Sequence, residues 1–278
     1  MQLALLADVH ANLEALEAVL RDLGRRAPEA RVVCAGDVVG YGPDPEACLS
    51  LLIERDAAMV LGNHEEMVLG RRPFINCVHA GIVAAMWTRE NLSREALSVL
   101  ASLPSALEVA PRVVVCHGDL ESAGTYVSTE SRAMRALEQL RARHPSANVL
   151  VCGHTHHAAV FSPSAGLVRG KLGREGAVSA DEPTIINPGA VGQARDNAPL
   201  ARYALLDVDA GSVSFVALRY DHATTLRKLR RAGLVARVVM PPPTGAARHV
   251  ERWKTRWAQA WASRKMRRLG PWGESRWP

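Results

Sequence analysis

The sequence lacks long hydrophobic runs and has few cysteines, and both features limit the classes it can belong to. Although 48% of the 278 residues are hydrophobic, no run approaches the roughly 18 consecutive apolar residues that a membrane-spanning helix requires. The five cysteines are odd in number and show no Cys-x-x-Cys spacing, which is not the pattern of a disulfide framework or a thiolate metal site. We interpret them as reduced core residues and predict a cytoplasmic protein.

The N-terminus lacks the features of a secretory signal. No basic residue precedes its first apolar run, and Asp8 follows that run closely. A short run of this kind is typical of a first buried strand, which we predict over Gln2–Ala7. The sequence shows no internal repeat, and its length suits one large domain, or one domain with an extension.

The net charge of +6 is divided unevenly along the chain. Residues 226–278 contain fourteen Lys or Arg and two acidic residues, a balance of +12, whereas the remainder has twenty basic and twenty-six acidic residues, a balance of −6. Three consecutive prolines, Pro241-Pro242-Pro243, can continue neither a helix nor a strand ladder and mark a boundary. We predict a main domain over residues 1–221 and a basic, tryptophan-rich helical extension over residues 222–278.

Short apolar runs alternate with amphipathic segments through the first two thirds of the chain. This alternation predicts an α/β layered fold, and a hairpin of Tyr203–Val208 with Val213–Leu218 adds antiparallel pairing. A mostly helical section follows the third predicted strand as far as about Leu103, with Ser93 as a helix cap. The Gly-rich and charged segment Gly166–Pro183 is expected to be an exposed loop.

Five short segments place a metal-ligand residue type just after an apolar run. They are Asp8-Val9-His10, Gly36-Asp37, Gly62-Asn63-His64-Glu65, His117-Gly118-Asp119 and Gly153-His154-Thr155-His156. In an α/β sheet, loops at the carboxyl ends of strands project side chains into a shared crevice, so five such loops can converge. In the Asp-x-His and His-x-His pairs, residues two apart point the same way when the backbone is extended.

The ligand types favour a particular kind of ion. Imidazole nitrogen with carboxylate and amide oxygen, and without thiolate, favours Mn, Fe, Zn, Co or Ni over Ca or Mg alone. Seven candidates are too many for one tetrahedral site and suit two ions that share a carboxylate. These candidates are Asp8, His10, Asp37, Asn63, His117, His154 and His156.

The order Asp-x-His, Gly-Asp, Gly-Asn-His-Glu, His and Gly-His-x-His resembles the signature of the calcineurin-like metallophosphoesterases. The match spans residues 8–156, and the wider resemblance extends to about Asp221. More narrowly, Gly36–Pro45 and Asn187–Gln193 resemble small bacterial phosphodiesterases of this family that are related to diadenosine tetraphosphatases. The resemblance implies a four-layer α/β/β/α sandwich of two mixed sheets, here with a C-terminal helical extension.

The resemblance also implies a role for each candidate residue. It assigns one metal ion to Asp8, His10 and His156. It assigns the other ion to Asn63, His117 and His154, with Asp37 bridging the two. His64 would stabilise the transition state or protonate the leaving oxygen, and Asn12 would contact phosphate. The cofactors would be two divalent transition-metal ions, Mn²⁺ in the first place, with Fe, Zn, Ni or Co as alternatives.

The implied reaction is hydrolysis of a phosphate ester, in which a hydroxide that bridges the two ions attacks phosphorus. We favour a phosphodiester substrate, because the narrower resemblance points there. One alternative is a dinucleoside polyphosphate hydrolase, for which Arg195 is a candidate basic residue near the pocket. The others are a nuclease that holds nucleic acid with the basic tail, and a non-catalytic module that binds phosphorylated ligands.

Three residues near these segments are not expected to bind metal. Glu65 is expected to cap or solvate the start of a helix. Asp119 departs from the family pattern, and an acidic side chain near the pocket would repel a second substrate phosphate. His157 also departs from the pattern, and it either supports the neighbouring ligands or lies exposed in its loop.

The extension carries an aromatic and basic helix, predicted over Ala246–Arg268. Trp253, Trp257 and Trp261 recur every four residues and line one helical face. In the simplest interpretation they dock on the main domain or on a second copy of the chain, and the surrounding Lys and Arg are solvated. Alternatively, this face binds nucleic acid, an anionic membrane surface or, folded back, phosphate beside the metal ions. The predicted partners are therefore a small phosphate ester, nucleic acid or an anionic surface, and a homo-oligomer.

Overall fold

The computed structural model describes residues 1–75, 77–169, 175–178, 182–196, 198–240 and 247–270. Its strands are β1 (Gln2–Leu6), β2 (Arg31–Cys34), β3 (Ala58–Met59), β4 (Ala106–Ala110), β5 (Val113–Cys116), β6 (Val149–Val151), β7 (Ala159–Ser162), β8 (Gly166–Arg169), β9 (Glu175–Ala177), β10 (Thr184–Asn187), β11 (Leu200–Asp207) and β12 (Ser212–Arg219). Its helices are α1 (Leu13–Arg26), α2 (Pro45–Glu54), α3 (Asn63–Leu69), α4 (His79–Asn91), α5 (Arg94–Ser102), α6 (Glu130–Arg143), α7 (His222–Arg231) and α8 (Ala247–Leu269). The predicted helix cap is confirmed, because the Ser93 side chain accepts the Ala96 N–H at the start of α5.

The strands form two six-stranded mixed sheets. The first sheet has the order β3-β2-β1-β11-β12-β9, in which β1, β2 and β3 are parallel and the other pairings antiparallel. The second has the order β4-β5-β6-β10-β7-β8, in which β5, β6 and β10 are parallel. The predicted late hairpin is confirmed as the β11–β12 pair.

Alternating side chains on β1 show how the layers stack. Leu3 and Leu5 lie in the buried cluster between the two sheets, together with Val115 of the second sheet. Ala4 and Leu6 point the other way, into the cluster that packs the helices on the first sheet. A third cluster packs α6 on the outer face of the second sheet. Because both sheets are covered on both faces, their central strands consist of continuous apolar runs, and the predicted four-layer architecture is confirmed.

The expectation of an exposed loop over Gly166–Pro183 is wrong where β8 and β9 occur. β8 pairs with β7 at the edge of the second sheet, and β9 pairs with β12 at the edge of the first. An edge strand has one neighbour and pairs through its backbone, so a segment rich in Gly and charge can still form one. Residues 170–174 and 179–181 of this segment lie outside the described residues.

The C-terminal extension contributes two helices that pack on the main domain. On α7, the Lys228 ammonium donates to Asp44 Oδ2 at 2.9 Å. α8 packs against α4 with Ala258 and Ala262 fully buried. The predicted boundary at Pro241-Pro242-Pro243 lies outside the described residues, and the division into two domains stays a prediction.

All five cysteines are free thiols. Four of them are buried: Cys34, Cys48, Cys116 and Cys152. This agrees with their interpretation as reduced core residues. Within the described part of the chain, no helix is both long enough and apolar enough to cross a membrane.

A buried hydrogen bond ties β11 to α1. The Tyr203 hydroxyl donates to Asp22 Oδ2 at 2.7 Å, and Arg26 Nε donates to the same oxygen at 2.6 Å. Burial alone would raise the pKa of Asp22, but these hydrogen bonds outweigh it and hold that pKa below its usual value of 3.8. A carboxyl group with a lowered pKa stabilises the fold above its unfolded-state pKa, and the contribution is lost as the pH falls through the folded-state pKa.

We expect Tyr203→Phe to lower the free energy of unfolding by about 2 kcal/mol near neutral pH, because it removes a buried hydrogen bond to a charged group. The loss should shrink in acid, as the pH falls through the lowered folded-state pKa of Asp22 and that carboxyl group takes up a proton. Urea unfolding at neutral and at acidic pH measures this. The control is Glu17→Gln, which removes an exposed ion pair with Arg21 on the same helix and should cost less than about 0.5 kcal/mol. An equal loss for Tyr203→Phe at both pH values would contradict this account.

Candidate metal centre

Five loops at the carboxyl ends of parallel strands form the site. They follow β1, β2, β3, β5 and β6 and carry, in that order, Asp8, Asp37, Asn63, His117 and His154. Backbone hydrogen bonds hold neighbouring loops together. The His10 N–H donates to the Asp37 carbonyl at 2.9 Å, and the Gly153 N–H donates to the His117 carbonyl at 2.8 Å. The first sheet supplies three loops and the second sheet two, so the site lies where the two sheets meet.

The structure brings all seven predicted ligands together. Among the described residues, three groups have ligand atoms within 4.8 Å of one another: Asp8, His10 and His156; His10, Asp37 and His64; and Asp37, His117 and His154. Asn63 joins the third group, because its Oδ1 lies 3.0 Å from His117 Nε2. Asp37 Oδ2 lies 3.7 Å from His10 Nε2 and 3.2 Å from His117 Nε2. The carboxylate of Asp37 therefore lies between two clusters, while the assignment of each ligand to a particular ion stays a prediction.

Three of the histidines direct their Nε2 atom at the centre. The Nδ1 atoms of His10, His117 and His156 lie 3.1, 2.7 and 2.7 Å from backbone carbonyl oxygens. These oxygens belong to Val39, Ala35 and Gln193, respectively. Because a carbonyl only accepts, Nδ1 carries the proton in each neutral ring and Nε2 is left as a ligand atom. The Nε2 atoms of His10 and His156 face each other at 3.2 Å, a contact between two acceptors that a bound cation would stabilise.

Buried polar atoms without a partner also point to a bound cation. Among the residues that the structure describes, Asp8 Oδ2, both ring nitrogens of His154 and Nδ1 of His64 are buried without a hydrogen-bond partner. A buried polar atom left unpaired costs about 1–3 kcal/mol, so four of them at one place favour a ligand that pairs with them. Imidazole nitrogens with carboxylate and amide oxygens are a donor set that divalent transition metals accept. The residues present therefore fit metal ions.

The two carboxyl groups of the site differ in ionisation. Burial, reinforced by the nearby Asp37 carboxylate and opposed by His117, raises the pKa of Asp8 to about 7. Burial also opposes ionisation of Asp37, but the imidazoles of His117, His64 and His10 outweigh it and hold the pKa of Asp37 well below 3.8. Although burial disfavours a charged ring, the Asp37 carboxylate raises the pKa of His117 to about 9. An anionic carboxylate thus lies at the middle of the site and attracts positive charge, which metal ions would provide.

Five of the predicted ligands have a backbone φ in the left-handed region. The φ values are +54° for Asp8, +48° for His10, +54° for Asp37, +63° for His154 and +62° for His156. Such a conformation costs a residue other than glycine about 1–3 kcal/mol and persists only where the surrounding structure enforces it. Their concentration in one place supports this region as the candidate functional site.

The loop that carries Asp37 is fixed by Gly62 and Glu65. The buried Glu65 carboxylate accepts the backbone N–H groups of Gly62, Asp37 and Val39 at 2.8, 2.9 and 2.9 Å. A Cβ atom at Gly62 would lie 2.2 Å from Asp37 Oδ1, so only glycine allows this approach. The expected capping role of Glu65 is confirmed at Gly62. Its contacts with the Asp37 loop were missed, because a capping pattern indicates only local partners.

Asn12 has both ends of its side chain engaged within the protein. Its Oδ1 accepts the Ala15 N–H, which caps α1, and the Thr225 hydroxyl. Its Nδ2 donates to the Gly192 carbonyl at 2.7 Å and to the Tyr220 hydroxyl at 3.2 Å. A phosphate contact by Asn12 stays a prediction, and it would require one of these hydrogen bonds to be exchanged.

The two residues that depart from the family pattern lie outside the three groups of ligand atoms. Asp119 Oδ1 accepts the backbone N–H groups of Glu121 and Ser122 and so stabilises a turn. His157 is half-buried, and burial lowers its pKa. Neither residue is therefore arranged as a ligand in this structure.

Two tyrosines and an arginine form the rim of the centre. Tyr41, Tyr126 and Arg195 are half-buried, whereas the ligands behind them are buried. The ring centroids of Tyr126 and His154 are 3.9 Å apart, and those of Tyr41 and His10 are 4.8 Å apart. Arg195 Nη1 donates to the Tyr126 hydroxyl at 3.2 Å, and the guanidinium carbon lies 5.5 Å from the centroid of that ring. The tyrosines were missed by the sequence analysis, because a single tyrosine in a loop has no recognisable signature.

Comparisons with known proteins agree with this geometry. A family model described as the calcineurin-like phosphoesterase superfamily domain matches residues 1–211. The chain is 33% identical to a metallophosphoesterase of Sphaerobacter thermophilus, whose crystal structure superposes with a TM-score of 0.72 over 84% of this chain and 95% of that chain. It is 31% identical over 232 residues to an uncharacterised protein of Methanocaldococcus jannaschii, covering 82% of this chain and 91% of that protein. The structure of a hypothetical protein from Pyrococcus horikoshii OT3, 15% identical, shares the fold with a TM-score of 0.66 over 84% of this chain and 94% of that one.

Proposed function

The chain belongs to the calcineurin-like phosphoesterase superfamily, and we propose that it is a phosphodiesterase that uses two divalent metal ions. The observation that carries this proposal is the Asp37 carboxylate between two clusters of ligand atoms. A shared carboxylate is the arrangement that two-metal hydrolases use. We favour diesters because the segment Asn187–Gln193 resembles small bacterial phosphodiesterases. The same segment contributes to the site, since the Gln193 carbonyl is the partner of His156 Nδ1 and so orients this proposed metal ligand.

The proposed cofactors are two ions, one held by Asp8, His10 and His156 and the other by Asn63, His117 and His154, with Asp37 shared. We propose Mn²⁺, with Fe, Zn, Ni or Co as alternatives that the same donor set accepts. When bound, such ions polarise the phosphoryl group and generate a nucleophile from water at neutral pH. The protein fixes the orientation of three imidazole ligands through backbone carbonyls, which keeps Nε2 directed at the centre.

The remaining polar groups of the site act on the substrate. His64 lies beside His10, with ring centroids 4.8 Å apart, and its ring is grouped with the ligand atoms of His10 and Asp37. We assign it to stabilise the leaving oxygen. Arg195 supplies a permanent positive charge at the rim, and Tyr126 orients the guanidinium through its hydroxyl. A guanidinium in this position would contact the non-bridging oxygens of the substrate phosphate.

The test is metal-dependent hydrolysis of bis-p-nitrophenyl phosphate and p-nitrophenyl phosphate. Metal-stripped protein should be inactive, and Mn²⁺, Ni²⁺, Co²⁺, Zn²⁺ or Mg²⁺ should each be tested for restoring turnover. We expect the highest rate with Mn²⁺, and faster hydrolysis of the diester than of the monoester. Folded protein that binds metal but turns over neither ester would overturn the phosphodiesterase proposal. Faster turnover of the monoester would make the protein a phosphomonoesterase.

A second candidate, hydrolysis of dinucleoside polyphosphates, is favoured by the position of Arg195. A substrate with several phosphates needs positive charge beyond the metal ions, and Arg195 provides it at the rim, where its guanidinium donates to the Tyr126 hydroxyl.

We expect Arg195→Ala to raise the KM for diadenosine tetraphosphate about tenfold or more, because it removes a charge-assisted contact. The KM for bis-p-nitrophenyl phosphate should rise less, since that substrate carries one phosphate. Steady-state kinetics with both substrates measures the difference, and Arg219→Ala, on the exposed end of β12, is the control. Equal effects on the two substrates would argue against a polyphosphate substrate.

A further inference from the structure

The outer face of α8 exposes three tryptophans. The exposed fractions of Trp253, Trp257 and Trp261 are 70%, 59% and 37%. The opposite face of the helix carries Ala258 and Ala262, which are fully buried in the cluster that packs α4. The expectation that the tryptophans dock on the main domain is therefore wrong, because α8 packs on that domain through its alanines. We call the three tryptophans, together with Arg264, Lys265 and Arg268, the Trp face.

Along the Trp face, the aromatic side chains come first and the basic side chains follow them. The rings of Trp257 and Trp261 are parallel to within 2°, with centroids 6.4 Å apart. A shallow, open groove of about 520 Å³ runs along them on the surface of α8 itself, lined by Trp257, Ala260, Trp261, Arg264, Lys265 and Arg268. Lys265 lies over the Trp261 ring, 5.3 Å from its centroid, and also pairs with Glu90 of α4. The groove therefore offers flat apolar surfaces and positive charge within one helical turn of each other.

We propose that the Trp face binds single-stranded nucleic acid. Unpaired bases stack on exposed aromatic rings whatever their sequence, while basic side chains neutralise the adjoining phosphates. The Trp face supplies both groups next to each other, and it lies in the segment whose charge balance is +12. This segment is outside the residues that match the family model, so the inference goes beyond the proposed phosphoesterase activity.

Charge disfavours the two other occupants. A membrane-bound helix buries an apolar face below its charged groups, but here Arg264, Lys265 and Arg268 line the same groove as the tryptophans. A symmetric dimer through this face would place the same basic residues of two copies against one another, and like charges across an interface cost several kcal/mol. A polyanion with flat bases avoids both penalties.

The start of α8 contacts α4, the helix that borders the metal centre. Near the start of α8, Glu251 Oε1 and Thr255 Oγ1 both accept the His79 N–H, at 3.0 Å each, at the start of α4. Gly81 lies two residues after His79 in α4 and close to Tyr41, because a Cβ atom at Gly81 would lie 3.0 Å from the Tyr41 hydroxyl. Tyr41 in turn contacts His10 in the centre. The inner side of α8 is therefore linked to the rim of the metal centre through α4.

Fluorescence anisotropy of labelled oligothymidine and oligouridine of about 20 nucleotides tests the proposal. The full chain is used, and EDTA in the buffer separates binding from hydrolysis, so failure of the phosphodiesterase proposal would not affect the result. We expect binding that weakens as salt rises. Trp257→Ala with Trp261→Ala, and separately Arg264→Glu with Arg268→Glu, should each raise the Kd about tenfold or more.

The matched control is Arg135→Glu with Arg141→Glu on α6, two exposed residues in the outer layer of the second sheet. It makes the same change in net charge and should leave the Kd within about twofold if the Trp face is the binding site. Absence of binding, or equal losses in the control and the Trp-face variants, would overturn the proposal. Binding to phosphatidylserine vesicles in place of the oligonucleotides would replace it with a membrane surface. A dimer that Trp257→Ala with Trp261→Ala dissociates would replace it with self-association.

Discussion

The Asp37→Asn variant should lose metal-dependent diester hydrolysis by at least about a thousandfold while it stays folded. Asp37 Oδ2 lies between the ligand nitrogens of His10 and His117, so its negative charge is the one that both proposed ions share. An amide places a neutral oxygen there, and removal of charge stabilisation from a metal centre costs several kcal/mol in the transition state. The fold should survive, because Asn retains the Oδ1 acceptor that the His64 N–H uses at 2.9 Å.

The measurements are turnover of bis-p-nitrophenyl phosphate and the metal content of the purified protein. Asp119→Asn is the matched control: it makes the same chemical change in a neighbouring loop, where the carboxylate accepts backbone N–H groups. This control should keep most of its activity and its metal. If Asp37→Asn kept two ions and more than about a tenth of the activity, the shared-carboxylate arrangement would be wrong.

The ligand residues could be predicted from the sequence because each lies in a short segment with a local signature. Asp8 and His10 follow an apolar run at a spacing of two, and His154 and His156 repeat that pattern. Convergence of the loops then follows from the α/β class alone, since the carboxyl ends of parallel strands meet at one edge. The left-handed φ values of these four residues could not be predicted, because the side chains themselves disfavour that conformation.

Contacts between distant loops explain what the sequence analysis missed at the site. Glu65 could be recognised as a helix cap, but not as the acceptor for Asp37 and Val39, which precede it by 28 and 26 residues. The Tyr126 hydroxyl accepts from Arg195, 69 residues later. Neither pair has a spacing that a pattern could detect. The first depends on the pairing of β2 with β3, and the second depends on the approach of the loops that follow β5 and β10.

The orientation of α8 shows a different limit. A repeat of four residues shows that Trp253, Trp257 and Trp261 share one face, but not which face packs on the main domain. Burial of large apolar side chains is the usual driving force, and it would have turned the tryptophans inward. The alanines face α4 instead, since small side chains let two helices approach closely. This packing orientation leaves the aromatic rings exposed and available for a ligand.

The His64→Gln variant should retain both metal ions and lose activity according to the leaving group. His64 is close enough to His10 and Asp37 to be grouped with them, and a Cβ atom at Gly40 would lie 2.2 Å from its Nδ1, so glycine there makes room for the ring. If His64 donates a hydrogen bond to the leaving oxygen, its loss should matter most for a poor leaving group. We expect about a hundredfold or greater loss for a phenyl diester and a smaller loss for the p-nitrophenyl diester.

Metal content separates this role from that of a ligand. Loss of one metal ion in His64→Gln would show that His64 is a ligand. Full metal content with equal losses of activity for both esters would show that His64 only positions other groups. His157→Gln is the matched control, because His157 is half-buried beside the His-x-His pair and lies outside the groups of ligand atoms. The phenyl diester is the decisive substrate, because a p-nitrophenolate leaves readily without a proton donor and a phenolate does not. If folded His64→Gln protein hydrolysed the phenyl diester at an undiminished rate, His64 would not assist the leaving group. Charge stabilisation by the metal ions and Arg195 would then be sufficient for catalysis.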